Sequence, residues 1–378
     1  MRTSITALAW FALLALVGCE VPSRSGNGSP VVQIRVVPES VTLDPNQTQP
    51  FVASGRTAAG DSVAVQVTWS ATGGTITGGG LYTAGQTAGN YRVIATLAND
   101  SLADTSSVTV TTGGGGVPLA GHVFIVTEEN HDYSAVIGSS SMPYLNSLAQ
   151  QYGLATQYYG NTHPSIGNYF MLATGQIITN NDSYSTIVTV DNVVRRLLAA
   201  GKTWKSYAED LPSVGYTGGD VGNYARKHNV FALLSDVAND SVQRQNLVPF
   251  TQFATDLANG TLPHFSNIVP NLCNDAHDCS LATADTWLQN NIAPLLASAT
   301  FQQDGLLIIT FDEAGSDNTH GGGRIAWIVV SPKAKTQYQS TTLYQHESTL
   351  RLTLAALGIT QFPGAAATAP AMAEFFTP

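Results

Sequence analysis

Hydrophobic and polar positions divide the chain into two textures. Between residues 31 and 112 the apolar runs are short: VVQIRVV, SVTL, QPFVASG, VAVQVTWSA, GTITGGGLYTA, NYRVIATLA and DTSSVTVTT. They alternate in part, and Gly, Asn, Asp or Pro separates them. About seven short strands in about 80 residues predict a small β-sandwich. Past the glycines at 113–116 the pattern changes. HVFIVT at 122–127 and LLIIT at 306–310 are continuous apolar runs, of the length and β-branched content of strands buried on both faces of a parallel sheet. IAWIVV at 325–330 reads as the next strand. Helical runs are predicted at 143–152, with Pro143 at its start, and at 166–172, 191–200, 250–259, 283–300 (interrupted by Pro294) and 347–357. Alternating strands and helices over residues 119–378 predict a layered α/β/α domain with a mostly parallel central sheet.

The chemistry gathers where those buried runs stop. Glu128-Glu129-Asn130-His131 follows the first, and Asp312-Glu313 follows the second, with Asp317, His320 and Gly321–Gly323 just beyond. Ligands in open α/β sheets bind beyond the carboxyl ends of the strands. Carboxylates brought together there repel unless a cation or protons compensate. A divalent metal site, of one or two ions, follows, and its oxygen ligands suit Zn, Ca, Mg or Mn. Taken alone, the stretch after Asp312 reads equally well as a solvated Asp/Gly loop. Ser165 opens a helical run, so it is either an N-cap or a hydroxyl beside backbone N–H groups that favour a phosphate. His163, Asn168, Asp275, His277, Asp278 and His346 are further candidates. In the segment 204–230, Lys205, Arg226, Lys227 and His228 are suited to anionic groups, and equally to an ordinary polar surface.

Charged residues are only 11% of the 378, the net charge is -10 and no Lys/Arg cluster exists, which argues against a nucleic-acid partner. Residues 1–18, MRTSITALAWFALLALVG, have the charge and length of a secretory leader. Leu16-Val17-Gly18-Cys19 resembles a bacterial lipobox, which implies cleavage before Cys19 and a lipid anchor there. Glu20, in place of an Asp, leans toward the outer membrane or cell surface. Residues 19–30 are a Ser/Gly/Pro linker. The two remaining cysteines, Cys273 and Cys279, predict a small disulfide loop in an exported chain, zinc thiolates being the rival reading.

Two resemblances add to this. Residues 31–112 resemble bacterial Ig-like domains of group 2, through IRVVPESVTL at 34–43, VTWS at 67–70, GLYTAG at 80–85 and SVTV at 107–110. Trp69 is then expected in the sandwich core. Residues 113–118 are a glycine-rich boundary. Residues 119–378 resemble the phosphoesterase family of bacterial phospholipases C and acid phosphatases, within the alkaline-phosphatase-like superfamily. VFIVTEENHDY at 123–133, HPSIGNYFMLATG at 163–175, IITFDEAG at 308–315 and YQHESTLRL at 344–352 carry that likeness.

The second resemblance implies that Glu129, Asn130, Asp312 and Glu313, together with Ser165, hold the metal. It makes Ser165 the nucleophile and Asn168 the group that binds a phosphate oxygen. His320 and His346 would line the phosphate pocket, joined by His163 or His277, and His277 or His346 would protonate the leaving group. The activity implied is hydrolysis of a small phosphoester, as by an exported acid phosphatase. A phosphodiesterase or a phospholipase C acting on lipid head groups is the alternative on the same site, although Ala314-Gly315-Ser316 stands where phospholipases C often have His-Gly-Gly. A non-catalytic adhesion protein with a degenerate phosphatase fold is the alternative from another class. The C/S-x-P-x-R signature of sulfatases is absent.

Overall fold

A computed structural model describes residues 30–43, 48–85, 87, 89–98, 101–110 and 116–377. The leader, Cys19 and most of the linker that follows it lie outside the described residues, as do Gly113–Gly115. Among the described residues no helix is long and apolar enough to cross a membrane.

Among the described residues, ten short strands lie between Val31 and Val110, in one four-stranded and two three-stranded sheets. They enclose a core of their own around Tyr82, Val93, Ala95 and Val108. Trp69 joins this core from its margin. It is half-buried and packs onto this core from Val67–Ala71, an edge strand of its sheet, while Tyr82 is wholly buried. An edge strand has a neighbour on one side only, so its side chains are less completely covered.

The second region is built on an eight-stranded sheet. Its strands, in chain order, are β1 (His122–Glu128), β2 (Gly153–Ala155), β3 (Trp204–Ala208), β4 (Leu247–Pro249), β5 (Phe265–Val269), β6 (Gly305–Phe311), β7 (Trp327–Val330) and β8 (Tyr338–Ser340). Their order across the sheet is β4-β3-β5-β1-β6-β7-β2-β8. All pairings are parallel except those of β7, which runs against both β6 and β2. That direction follows from the connection. Parallel neighbours need a crossover, usually helical, whereas the loop from Asp312 to Ala326 carries no helix and brings the chain straight back. β1 and β6 are central and buried almost throughout, as their unbroken apolar runs require.

Helices stand close to the predicted runs, among them Pro143–Gln151, α1 (Ile166–Thr174), Val193–Ala199, α2 (Thr251–Asn259) and α3 (His346–Ala356). The break expected at Pro294 is absent. Leu281–Ala297 runs unbroken through Pro294, and the helix ends instead at Ser298, whose extended backbone and side chain cap the next helix at Phe301 N. Pro294 costs one intrahelical hydrogen bond, and Asn290, whose carbonyl loses that partner, is an exposed residue.

Candidate active site

The register of the sheet assembles the site. β1 and β6 pair in step from His122 with Gly305 to Glu128 with Phe311. The next residues, Glu129 and Asp312, therefore emerge side by side at the carboxyl edge. The ladder continues past the strands: Asp312 N donates to Glu128 O at 3.0 Å, and Glu129 N donates to Asp275 O at 2.8 Å on the other side. Asn130 turns with φ +48 and gives its N–H to Asp312 Oδ1 at 3.1 Å. Three segments far apart in sequence thus meet at one edge.

Ser165 stands at the N-cap of α1 but makes no side-chain capping bond. Its hydroxyl goes instead to Glu129 Oε2 at 3.0 Å, with Asn130 Oδ1 at 3.5 Å. Asp182 supplies the missing cap, accepting Ile166 N–H on Oδ1 at 3.2 Å. The capping duty that a lone serine suggests has passed to another residue, and the Ser165 oxygen is left for the acidic edge. The approach of this loop to Asp312 and Glu313 depends on glycine. A Cβ at Gly160 would lie 2.9 Å from both Asp312 O and Gly322 O, and one at Gly322 would lie 2.6 Å from Gly160 C.

The candidates sort by their contacts. Glu313 receives His163 Nδ1 at 3.2 Å and Asn168 Nδ2 at 3.1 Å. Asn168 departs from the expected role of holding a phosphate oxygen. Its Oδ1 accepts from Asn161 N and Thr162 N, its Nδ2 also donates to Thr162 O, and the residue is wholly buried, so no free donor remains. It braces the loop and Glu313. His346 departs from the role of acid in the same way. It is sealed at the start of α3, with Nε2 on Asp312 O at 2.6 Å and Nδ1 on Tyr158 Oη at 3.1 Å. Burial holds its pKa down at about 4 although the Asp312 carbonyl pulls it upward. It is a neutral prop beneath Asp312. His320 is exposed, its ring 4.4 Å from that of Tyr159, and Asp317 spends both carboxylate oxygens on Thr319 and Arg324 within its own loop. His277 is partly exposed, paired with Asp278, and its ring lies 6.2 Å from that of His228.

His228 was grouped in the sequence only as one of several residues suited to anions, yet it is central. Its Nε2 lies 3.0 Å from Glu129 Oε1 and its Nδ1 3.1 Å from Asp275 Oδ2, and its ring stacks on Tyr169 at 4.9 Å. Nothing local to RKHN announces this, because both acids come from other strand ends. Of the other three basic residues of that segment, two turn away and Lys227 stays near the site. Lys205 pairs with Asp256, Arg226 donates to Tyr184 O, and Lys227 Nζ lies 3.2 Å from Asp182 Oδ2.

Charge is unevenly compensated here. Burial lowers the His228 pKa, but Glu129 and Asp275 outweigh it and lift it to about 9. Burial likewise raises the Glu129 pKa, but His228, aided by Lys227, brings it down to about 2. Asp312 has no such partner. Burial and the charges of Glu129 and Glu313 push it well above the carboxylate range, and its buried Oδ2 has no hydrogen-bond partner. Glu313 is raised to about 7, by burial and by Glu129, against the pull of His163. An unpartnered buried oxygen beside further oxygen ligands fits a hard divalent cation. Glu129, Asn130, Ser165, Asp312 and Glu313 would hold it. Among the described residues no group of three or more His, Cys, Asp or Glu side chains is placed to hold a metal ion by itself. Cys273 and Cys279 form a disulfide, which removes them as zinc thiolates and ties down the loop of Asp275.

Residues 138–359, over half of the chain, match the phosphoesterase family, and the chain belongs to it. The match includes Ser165, His228, Asp312, Glu313 and His346, while Glu129 lies just ahead of it. Within that family the chain is 37% identical over 199 residues to a phosphatidylinositol-3-phosphatase of Mycobacterium tuberculosis, covering 52% of this chain and 64% of the other. It is 32% identical over 240 residues to a probable acid phosphatase of Kluyveromyces lactis (60% and 56%) and 36% identical over 202 residues to an acid phosphatase of Aspergillus fumigatus (51% and 44%). The match thus spans less than two thirds of each of these relatives. Among solved structures, a protein in the alkaline phosphatase superfamily from Vibrio parahaemolyticus is 12% identical with a TM-score of 0.46, over 67% of this chain and 70% of that one. The lipoteichoic acid synthase LtaP from Listeria monocytogenes is 13% identical with a TM-score of 0.47, over 66% and 75%.

Proposed function

We propose that this chain is a metal-dependent phosphoric ester hydrolase of the acid phosphatase type, working through a phosphoserine on Ser165. The observation that carries the reading is the Ser165 hydroxyl. It is buried at the head of a helix, released from capping, and hydrogen-bonded to Glu129 among ligand-type oxygens from two strand ends. Relatives named as phosphatases support the reaction class.

When bound at Glu129, Asn130, Ser165, Asp312 and Glu313, a divalent ion would acidify the Ser165 hydroxyl and withdraw charge from the phosphoryl oxygens. The chain's own residues do the rest. Glu129, kept ionised by His228, orients Ser165 Oγ through its hydrogen bond. Ser165 Oγ gives up its proton along that hydrogen bond to Glu129 Oε2 and attacks phosphorus in line, the Oγ–P bond forming as the bond to the ester oxygen breaks. We assign the proton for the departing oxygen to His277, because it is partly exposed and His346 is sealed in. Water then attacks the phosphoserine with the roles reversed, which releases inorganic phosphate and restores the hydroxyl. Residues 119–378 are the unit we assign to this chemistry, with residues 31–112 as a spacer. Export through residues 1–18 and a lipid anchor on Cys19 complete the reading.

Ser165→Ala should lower turnover of p-nitrophenyl phosphate about 10³-fold or more while metal content measured by mass spectrometry is kept. Acid quenching of wild type with radiolabelled substrate should leave phosphate on the peptide of Ser165. A variant retaining more than about a tenth of the wild-type rate would overturn the nucleophile assignment.

A further inference from the structure

We propose that Lys227 is the group that recognises the second negative charge of a phosphomonoester, and so sets this site for monoesters over diesters. The inference rests on the reading of Ser165 as the attacking group and deepens it by naming the substrate class.

Lys227 is held in place from two sides. Its neighbour His228 is wholly buried, with its ring nitrogens 3.0 and 3.1 Å from the carboxylates of Glu129 and Asp275, which sets the turn Arg226–His228 against the site. Its ammonium lies 3.2 Å from Asp182 Oδ2, and the other oxygen of the same carboxylate accepts Ile166 N–H at 3.2 Å. Ile166 directly follows Ser165. The ammonium therefore stands one carboxylate away from the first turn of the nucleophile's helix. Its charge is also felt by Glu129 and Asp312, although the side chain is only 15% exposed. Arg226 and Lys205, the other long cations of the segment, are turned to Tyr184 O and to Asp256.

The surroundings explain why such a cation is needed. Glu129, Asp182, Asp275, Asp312 and Glu313 crowd one edge, a hostile field for a doubly charged phosphate. A divalent ion there answers the carboxylates that bind it. An ammonium carries three donors, and Asp182 engages Lys227 at one contact, which leaves N–H groups for a substrate oxygen. A monoester dianion presents an additional charged oxygen to them. In a diester that oxygen carries an ester group and the charge is lost, so the contact is worth much less. Charge-assisted hydrogen bonds are the strong ones, and deleting one from a shielded site costs on the order of 10- to 100-fold in affinity or rate.

The test compares two chromogenic substrates with the metal-loaded, full-length protein. For Lys227→Gln the ratio of kcat/KM for p-nitrophenyl phosphate to that for bis(p-nitrophenyl) phosphate should fall about tenfold or more. The inhibition constant of inorganic phosphate, measured against the monoester, should rise by a similar factor. Lys227→Arg, which keeps the charge, should hold both quantities within about threefold of wild type and shows that loss of charge, rather than disturbed folding, is being read. An unchanged substrate ratio or an unchanged phosphate inhibition constant in Lys227→Gln overturns the proposal. Ser165→Ala separates the two failures. If it abolishes turnover of both substrates while Lys227→Gln leaves the ratio intact, the nucleophile reading stands and this one falls.

Discussion

Asp256 and Asp312 are both buried carboxylates attached to the same sheet, and the chain treats them oppositely. Asp256, on α2, is only 4% exposed and collects four donors: Lys205 at 2.5 Å and Tyr207 at 2.6 Å on Oδ2, Gln252 at 3.0 Å and Thr261 at 3.2 Å on Oδ1. Burial works against its charge, but Lys205 and the other donors prevail and its pKa is lowered. Asp312 is fully buried, receives Asn130 N–H on one oxygen and nothing on the other, and is pushed far up by burial and by its acidic neighbours. A carboxylate matched by donors belongs to the architecture. One left short of them stores an electrostatic cost that a ligand can relieve, and such shortfalls gather at functional sites.

The comparison breaks most visibly under paired substitutions. Asp312→Asn should lower monoester turnover about 10³-fold and lose bound metal, because it weakens a charged ligand at nearly constant shape. It should leave the metal-free fold at least as stable, since an amide has no ionised form for burial and the neighbouring acids to penalise. Asp256→Asn should do the reverse. Lys205 is left without its counter-charge and the fold loses about 3 kcal/mol, while kcat stays within about threefold. Urea titration and turnover on both variants check this, and equal losses of activity at intact fold would erase the distinction.

Much of the fold was legible because it rests on unbroken or alternating apolar runs. β1 and β6 declare themselves as double-sided buried strands, and the residues after them follow by continuity. The reversed direction of β7 was hidden, since IAWIVV carries no mark of strand polarity. The meeting of Glu129 and Asp312 at one edge was legible, because each closely follows a buried apolar run. The site was not legible at His228 and Asp182, which act through residues 99 and 16 positions away in sequence. Asn168 and His346 show the opposite failing. Their chemistry suits a phosphate pocket, but every polar atom they own is spent on the chain itself, and only burial and partners reveal that.

A finer comparison comes from pH. The pKa of Glu313 is raised to about 7 from 4.5. An acid with a raised folded pKa stabilises fully below its unfolded value and loses that contribution as pH rises through the folded one. In the metal-free protein the term should vanish between about pH 5 and pH 8 and amount to about 2–3 kcal/mol. Asp256, with a lowered pKa, contributes above its unfolded value and loses stability only in more acid solution, so it is silent in that window. His346, held down at about 4, costs stability as pH falls below 6.5 and opposes Glu313. The quantity to measure is therefore the stability difference between Glu313→Gln and wild type, with chelator present. It should move in favour of the variant by that amount from pH 5 to pH 8, and a flat difference would remove Glu313 from the group of uncompensated acids.

The smallest expected effect concerns how an acid of the site is held in place. Asp256 needs no covalent help, because its donors come from β3, α2 and the turn after α2. Asp275 sits in a loop, and the Cys273–Cys279 disulfide closes that loop across six residues of sequence separation. Asp275 accepts Glu129 N–H on its carbonyl at 2.8 Å and meets His228 with its carboxylate, so the bridge fixes two supports of the site at once. A loop this short contributes about 2 kcal/mol through chain entropy. The loop is also pinned by Asn271 Oδ1, which accepts from Cys273 N and Asn274 N, so it should not collapse when the bridge is cut. Replacing both cysteines by Ser should therefore lower unfolding free energy by about 2 kcal/mol and monoester kcat/KM by less than about tenfold. Urea titrations of the double variant and wild type, with turnover measured alongside, give both numbers. A far larger loss of turnover at modest loss of stability would mean that the disulfide, more than His228, keeps Asp275 in register with Glu129.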